Sequence, residues 1–122
     1  MSPWFAVFLG GGLGSVARYG ISRLFLAFDV RSAFPWATFA ANMLSSLLLA
    51  LLVLKWTQAL QGRDALKLFL AVGFCGGFST FSTFSMENYL LIREGAWVEF
   101  LGNTVFSIVA GVIFFVLVAR SS

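Results

Sequence analysis

Histidine is absent from the chain, and cysteine occurs once, at Cys75. Without histidine, the commonest general base and the commonest metal ligand are both missing. A single thiol forms neither an intrachain disulfide nor a thiolate metal cluster, so Cys75 reads as a small buried apolar side chain. Charge is also scarce: eight basic and five acidic residues make up 11% of the 122 positions. The basic residues are scattered rather than run together, which excludes a nucleic-acid footprint and fits positives flanking membrane helices.

Hydrophobic residues fill that space: they make up 60% of the chain, and the mean hydropathy is +0.94. Such a balance lies far outside that of soluble domains. Four apolar stretches, approximately 3–28, 34–56, 66–92 and 97–119, are each long enough for the ~20 helical residues that cross the ~30 Å hydrocarbon slab. They predict an all-α integral membrane protein, one four-helix transmembrane domain over 1–122, because the linkers DVRSA, TQALQGRDALK and REGA leave no room for an extramembrane domain. The opening MSPWFAVFLGGG lacks the basic start of a secretory signal and continues past signal length, so it reads as the first span. Trp4, Trp36, Trp56 and Trp97 fall near the proposed ends, where amphipathic rings prefer the headgroup level.

Four spans place both termini on one side of the membrane. Lys55, Arg63, Lys67 and Arg120 then share that side, while Arg23, Arg31 and Arg93 lie opposite, with Arg18 deeper in the first span. This near-balance does not fix an orientation. Dual insertion, giving an antiparallel dimer with a two-fold axis in the membrane plane, is one reading; an orientation set by Arg18 or by a partner is the other. Gly10 and Gly14, with Ala6 and Ala17 nearby, give the first span a face for close helix packing. A chain of this size hardly walls a pore alone, so an oligomer is expected.

Polar side chains at membrane depth need a partner or a wet cavity. Thr38, Asn42, Ser45 and Ser46 share one side of the second span, and Asn103 and Ser107 lie one turn apart in the fourth. Interhelical hydrogen bonding accounts for hydroxyls ordinarily. Asn42 carries both donors and acceptors to satisfy, and an anion needs donors. In the third span, GFCGGFSTFSTFS from Gly73 predicts a helix that stops near Phe74 and restarts near Thr80, with Gly76 and Gly77 as the permissive backbone. Freed carbonyls can ligate a hard cation such as sodium, whereas the restarted N-terminus favours an anion. Phe78, Phe81 and Phe84 recur every three residues. Their ring edges are electropositive and can face an anion, although phenylalanine in membrane helices ordinarily packs or faces lipid.

The run GFCGGFSTFSTFSMEN, the first-span GLGSVARY and the Asn42 stripe together resemble the small fluoride channels of the Fluc or CrcB family, over essentially the whole chain. The resemblance implies a dual-topology antiparallel homodimer in the bacterial inner membrane. It would passively export fluoride through two pores, with a structural sodium ion on the two-fold axis. Carried to matching positions, it implies that Phe81 and Phe84 are pore rings, that Asn42 is a pore amide, and that the backbone carbonyls of Gly76 and Ser79 are sodium ligands. Arg18 and Glu87 match the family's charged positions. Thr80, Ser82 and Thr83 stand as hydroxyls that substitute along the anion path, and Ser107 begins a polar track on the fourth span. Beyond Ser107 the next turns carry Gly111 and Phe115 instead of hydroxyls.

Other readings compete with this one. A four-helix, dual-topology, proton-coupled multidrug exporter matches the size and charge balance but calls for a carboxylate deep in the first span, which has none before Asp29. A structural subunit leaves Asn42 and the broken third span without purpose. An enzyme is not expected, because without histidine Glu87 has no evident acid–base companion.

Overall fold

The computed structural model describes residues 2–28 and 34–121. Arg31, one of the basic residues in the charge count, and Asp29 lie outside the described residues. Helix α1 spans Pro3–Ala27; its start is set by Ser2, whose side chain accepts the Phe5 N–H, and by Pro3 in the first turn, where a missing N–H costs nothing. Helix α2, Trp36–Ala50, continues as a π-helical turn π1, Leu51–Lys55, closed by the Trp56 N–H to Leu51 carbonyl bond of 2.8 Å. A third rod runs through α3 (Asp64–Lys67), the π-helical π2 (Leu68–Phe74) and α4 (Cys75–Phe78), then resumes as α5 (Phe81–Arg93). Helix α6 is Trp97–Ser121. Between α5 and α6, Gly95 takes φ 76°, and the Ala96 N–H reaches back to the Leu91 carbonyl at 2.8 Å. That left-handed residue and long return bond form a Schellman stop, which glycine accepts without strain.

Among the described residues, three helical rods are long and apolar enough to cross a membrane: Trp36–Lys55, Asp64–Arg93 and Trp97–Ser121. At 25 residues α1 is as long as α6, but its glycines, Arg18 and Arg23 dilute its hydropathy. The four tryptophans sit at rod ends: Trp4 and Trp56 at one face of the bundle, Trp36 and Trp97 at the other.

Glycine determines how α1 meets the third rod. A Cβ at Gly10 would collide with the Phe69 carbonyl, one at Gly14 with the Phe74 carbonyl, and one at Gly77 with the Gly11 carbonyl. A Cβ at Gly73 would stand 2.9 Å from the Gly10 Cα. Backbone thus packs on backbone, as small-residue interfaces in lipid allow. The break in the third rod differs from the sequence expectation. Gly76 and Gly77 are helical, and the extended residues are Ser79 (ψ 159°) and Thr80 (φ −154°, ψ 122°), a region open to any residue. Gly77 is therefore required by the approach of α1 rather than by the break. Gly77→Val is expected to displace α1 from the third rod, costing at least the ~1–3 kcal/mol of overpacking. Loss of a monodisperse species in detergent is the readout, and a variant as heat-stable as the parent would contradict this packing.

Candidate functional site

Breaking a helix at membrane depth releases backbone groups that lipid cannot satisfy, and neighbouring side chains take up most of those freed at Ser79–Thr80. The Thr80 N–H, which an unbroken helix would give to the Gly76 carbonyl, donates to Asn42 Oδ1 at 3.0 Å. Asn42 Nδ2 in turn lies 3.5 Å from the Thr80 carbonyl. The amide of α2 therefore pairs with both backbone groups of one extended residue, as a neighbouring strand would. The Cys75 carbonyl accepts from Ser79 N (3.0 Å), Ser79 Oγ (2.8 Å) and Ser45 Oγ (3.0 Å). Arg18 Nε, reaching from α1, donates to the Gly77 carbonyl at 3.2 Å, placing a cation at the negative end of the helical run. Thr80 caps α5 by accepting the Thr83 N–H at 3.2 Å. These bonds leave the carbonyls of Gly76 and Ser79 without their helical partners, because the Thr80 and Thr83 amides are both turned elsewhere.

Beside the break lies a cavity of about 300 Å³ lined by Asn42, Met43, Ser46, Ser79, Thr80, Phe81, Phe84, Ser107 and Ile108. The Phe81 and Phe84 rings are 6.2 Å apart and tilted by 38°, and Phe81 is 80% exposed. A second cavity, also about 300 Å³, takes Thr38, Thr83, Glu87 and Ser22 among its walls. Thr38, on the wall of the second cavity, and Asn42, on the wall of the first, stand one helical turn apart on α2, a rise of about 6 Å. Glu87 Oε1 is buried with no hydrogen-bond partner among the described residues.

Of the residues singled out from sequence, Asn42, Thr80, Phe81, Phe84 and Ser107 meet at the first cavity. Thr83 and Glu87 face the second. Ser82 lines neither; it is exposed, with its Oγ 3.5 Å from Thr80 Oγ1. Arg18 is engaged at the break. Sequence reasoning passed over Asn88, which is 8% exposed and bonded to Asn103 at 2.8 Å; a third amide at membrane depth, directly after Glu87, was the available signal. No group of three or more His, Cys, Asp or Glu side chains that could hold a metal exists among the described residues.

The family model for CrcB-like proteins (Camphor Resistance, CrcB) matches residues 5–119. This chain belongs to the CrcB-like family. Relatives are similar along almost the whole length of this CrcB-like protein. A protein of Magnetococcus marinus named fluoride-specific ion channel FluC is 44% identical over 102 residues, 84% of this chain and 82% of its own. Relatives with the same name in Pyrococcus furiosus (44% over 110 residues, 90% and 86%) and Phocaeicola vulgatus (36% over 113 residues, 93% and 92%) agree. The CrcB-like match includes the broken rod, the α2 amide and both cavities.

Proposed function

We propose that this chain is a fluoride-selective channel that lets the anion leave the cell down its gradient. The observation that carries the reading is the membrane-depth break in the third rod, with Asn42, Ser46, Thr80 and Ser107 gathered around Phe81 and Phe84; family membership and the names of the relatives agree with it. Fluoride is small and strongly hydrated, so a path must replace its water with donors placed densely enough to admit it and weakly enough to release it. Asn42 Nδ2, with one hydrogen near Thr80, keeps a second for the ion. Hydroxyl protons and ring edges supply the rest. The second cavity, one turn along α2, extends the polar route past Thr38, Thr83 and Glu87.

In this reading α1 crosses the bilayer too, as the first of four spans. Its 25 residues reach about 37 Å at 1.5 Å per residue, and it is held against the third rod by backbone contact. Two copies insert in opposite orientations, consistent with the near-balanced basic residues, and the exposed Phe81 is covered at their interface. A sodium ion fits the donor set at the break: the Gly76 and Ser79 carbonyls are hard oxygen ligands released from helical bonds, while Ser79 Oγ is turned back to Cys75. Two carbonyls fall short of a coordination sphere, so a second copy has to contribute its own pair. The host membrane in this reading is the bacterial inner membrane, across which hydrogen fluoride enters as a neutral acid and inside which it dissociates, trapping fluoride in the cytoplasm. A drug exporter is not favoured, because α1 carries no carboxylate. An ion channel is not an enzyme, and no catalytic step is assigned.

Purified protein reconstituted into liposomes loaded with potassium fluoride tests the assignment. A fluoride electrode is expected to record rapid efflux when a potassium ionophore is added, with chloride-loaded vesicles staying tight. Fluoride release no faster than from protein-free vesicles overturns the reading.

A further inference from the structure

Between α5 and α6 lies the most deeply buried polar side chain among the described residues. Asn103 is 0% exposed and Asn88 is 8% exposed. Ser107 Oγ donates to Asn103 Oδ1 at 3.3 Å, Asn103 Nδ2 to Asn88 Oδ1 at 2.8 Å, and Asn88 Nδ2 to Thr104 Oγ1 at 3.3 Å. The bonds run one way along the chain and begin at a wall of the first cavity. In this polarity Ser107 has committed its only proton to Asn103 and offers the cavity lone pairs.

The oxygen and nitrogen of a side-chain amide exchange places by a half-turn about its last bond. The same four side chains therefore also accept the reverse order, in which Thr104 donates to Asn88, Asn88 to Asn103, and Asn103 to Ser107. No bond is lost, and the Ser107 proton becomes free to point into the cavity. Turning one amide alone would set donor against donor or acceptor against acceptor in a buried place, which is costly. The pair thus turns together, and its bonds reinforce one another in either order.

We infer that Asn88 and Asn103 form a two-state positioning pair whose polarity decides whether Ser107 donates to an anion in the cavity. An anion selects the donating order, because a charge-assisted bond is about twice as strong as a neutral one; a cation selects the other. This rests on the channel reading and adds to it a selectivity device standing behind the cavity wall.

Asn88→Asp tests it. The ionised carboxylate only accepts, so it holds Asn103 Nδ2 and leaves Asn103 Oδ1 to take the Ser107 proton, locking the non-donating order. The protonated carboxyl can donate and restores both orders. In the reconstituted full-length protein, fluoride efflux of the parent is expected to be flat from mildly acidic to alkaline pH. Efflux of Asn88→Asp matches it at acidic pH, which also shows that the variant is folded, and falls about tenfold as pH rises. Asn103→Asp, offering acceptors to both neighbours, gives the same profile and serves as the second variant. Glu87, which lines the other cavity, and Glu99, four residues before Asn103 on α6, are the native carboxylates nearest in sequence; the flat parent profile controls for both. In a Ser107→Ala background the pH-dependent fall disappears, because no hydroxyl remains to be oriented.

A fall that persists without Ser107, or carboxylate variants that conduct like the parent at every pH, overturns the inference and leaves the channel reading intact. A parent that releases no fluoride overturns the channel reading, and this inference with it.

Discussion

Replacing Phe81 with isoleucine is expected to lower fluoride efflux about tenfold, and replacing Phe84 as well to lower it further, with the protein still folded. Isoleucine keeps bulk at the cavity wall but has no quadrupole, so the electropositive ring edge is lost. Edge-to-face contacts between two rings are worth about 0.5–1.5 kcal/mol; an ion–edge contact at the top of that scale, about 1.4 kcal/mol, is a factor of ten. Phe81 is 80% exposed in the single chain, so trimming it opens no void in the subunit core. Phe74 and Phe78 provide the contrast. They stack at 5.5 Å and 13° beside a purely apolar groove with Leu44, Leu47, Leu48 and Leu51. Isoleucine at buried Phe78 should therefore lower stability and leave the conduction of the protein that folds unchanged. Fluoride-electrode traces from equal amounts of monodisperse protein separate the two classes. Undiminished efflux from Phe81→Ile would remove the rings from the permeation argument.

The helical rods were legible from hydropathy because lipid enforces long apolar runs, and the tryptophans marked their ends independently. The break was legible as well, but its cause was misread. Two adjacent glycines suggested flexible backbone, whereas Gly77 is spent on the contact with Gly11 and the extended residues are Ser79 and Thr80. A glycine permits both close approach and unusual torsion, and only the partner helix shows which is used. Asn42, Phe81 and Phe84 were joined in advance only by the family resemblance, because spacing within one rod does not say which rod packs against it; the structure brings all three to one cavity. Which hydroxyls joined them could not be told. Helical phase restarts at Thr80, so Thr83 turns to the cavity of Glu87 and Ser82 to neither. Asn88 was overlooked because its partner, Asn103, is on a different helix, and a pairing between helices leaves no periodic trace along the chain. Arg18 posed a similar problem: its bond to the Gly77 carbonyl spans 59 positions, and nothing local to the first span announces it.

Asn42→Asp should have the largest effect of any single substitution at the cavity. The change is nearly isosteric, and the carboxylate can still accept the Thr80 N–H that Asn42 Oδ1 holds at 3.0 Å. The break therefore keeps its main tether. What disappears is the Nδ2 donor, both the hydrogen near the Thr80 carbonyl and the one available to the ion. In its place stands an acceptor that carries negative charge when ionised. Two like charges about 4 Å apart repel by about 4 kcal/mol at an effective dielectric of 20, roughly a thousandfold in occupancy. A carboxyl out of water resists ionising, so the sign of the pH effect follows directly. Efflux through Asn42→Asp should be least impaired at acidic pH, where the group is neutral and can donate, and should fall as pH rises through its titration. Asn42→Ser, which retains a donor without charge, should lose less and show no such slope. A loss in Asn42→Ser that Asn42→Asp escapes at every pH would assign Asn42 to holding Thr80 alone, and a fluoride current in Asn42→Asp equal to the parent's at alkaline pH would take the amide out of the anion's path.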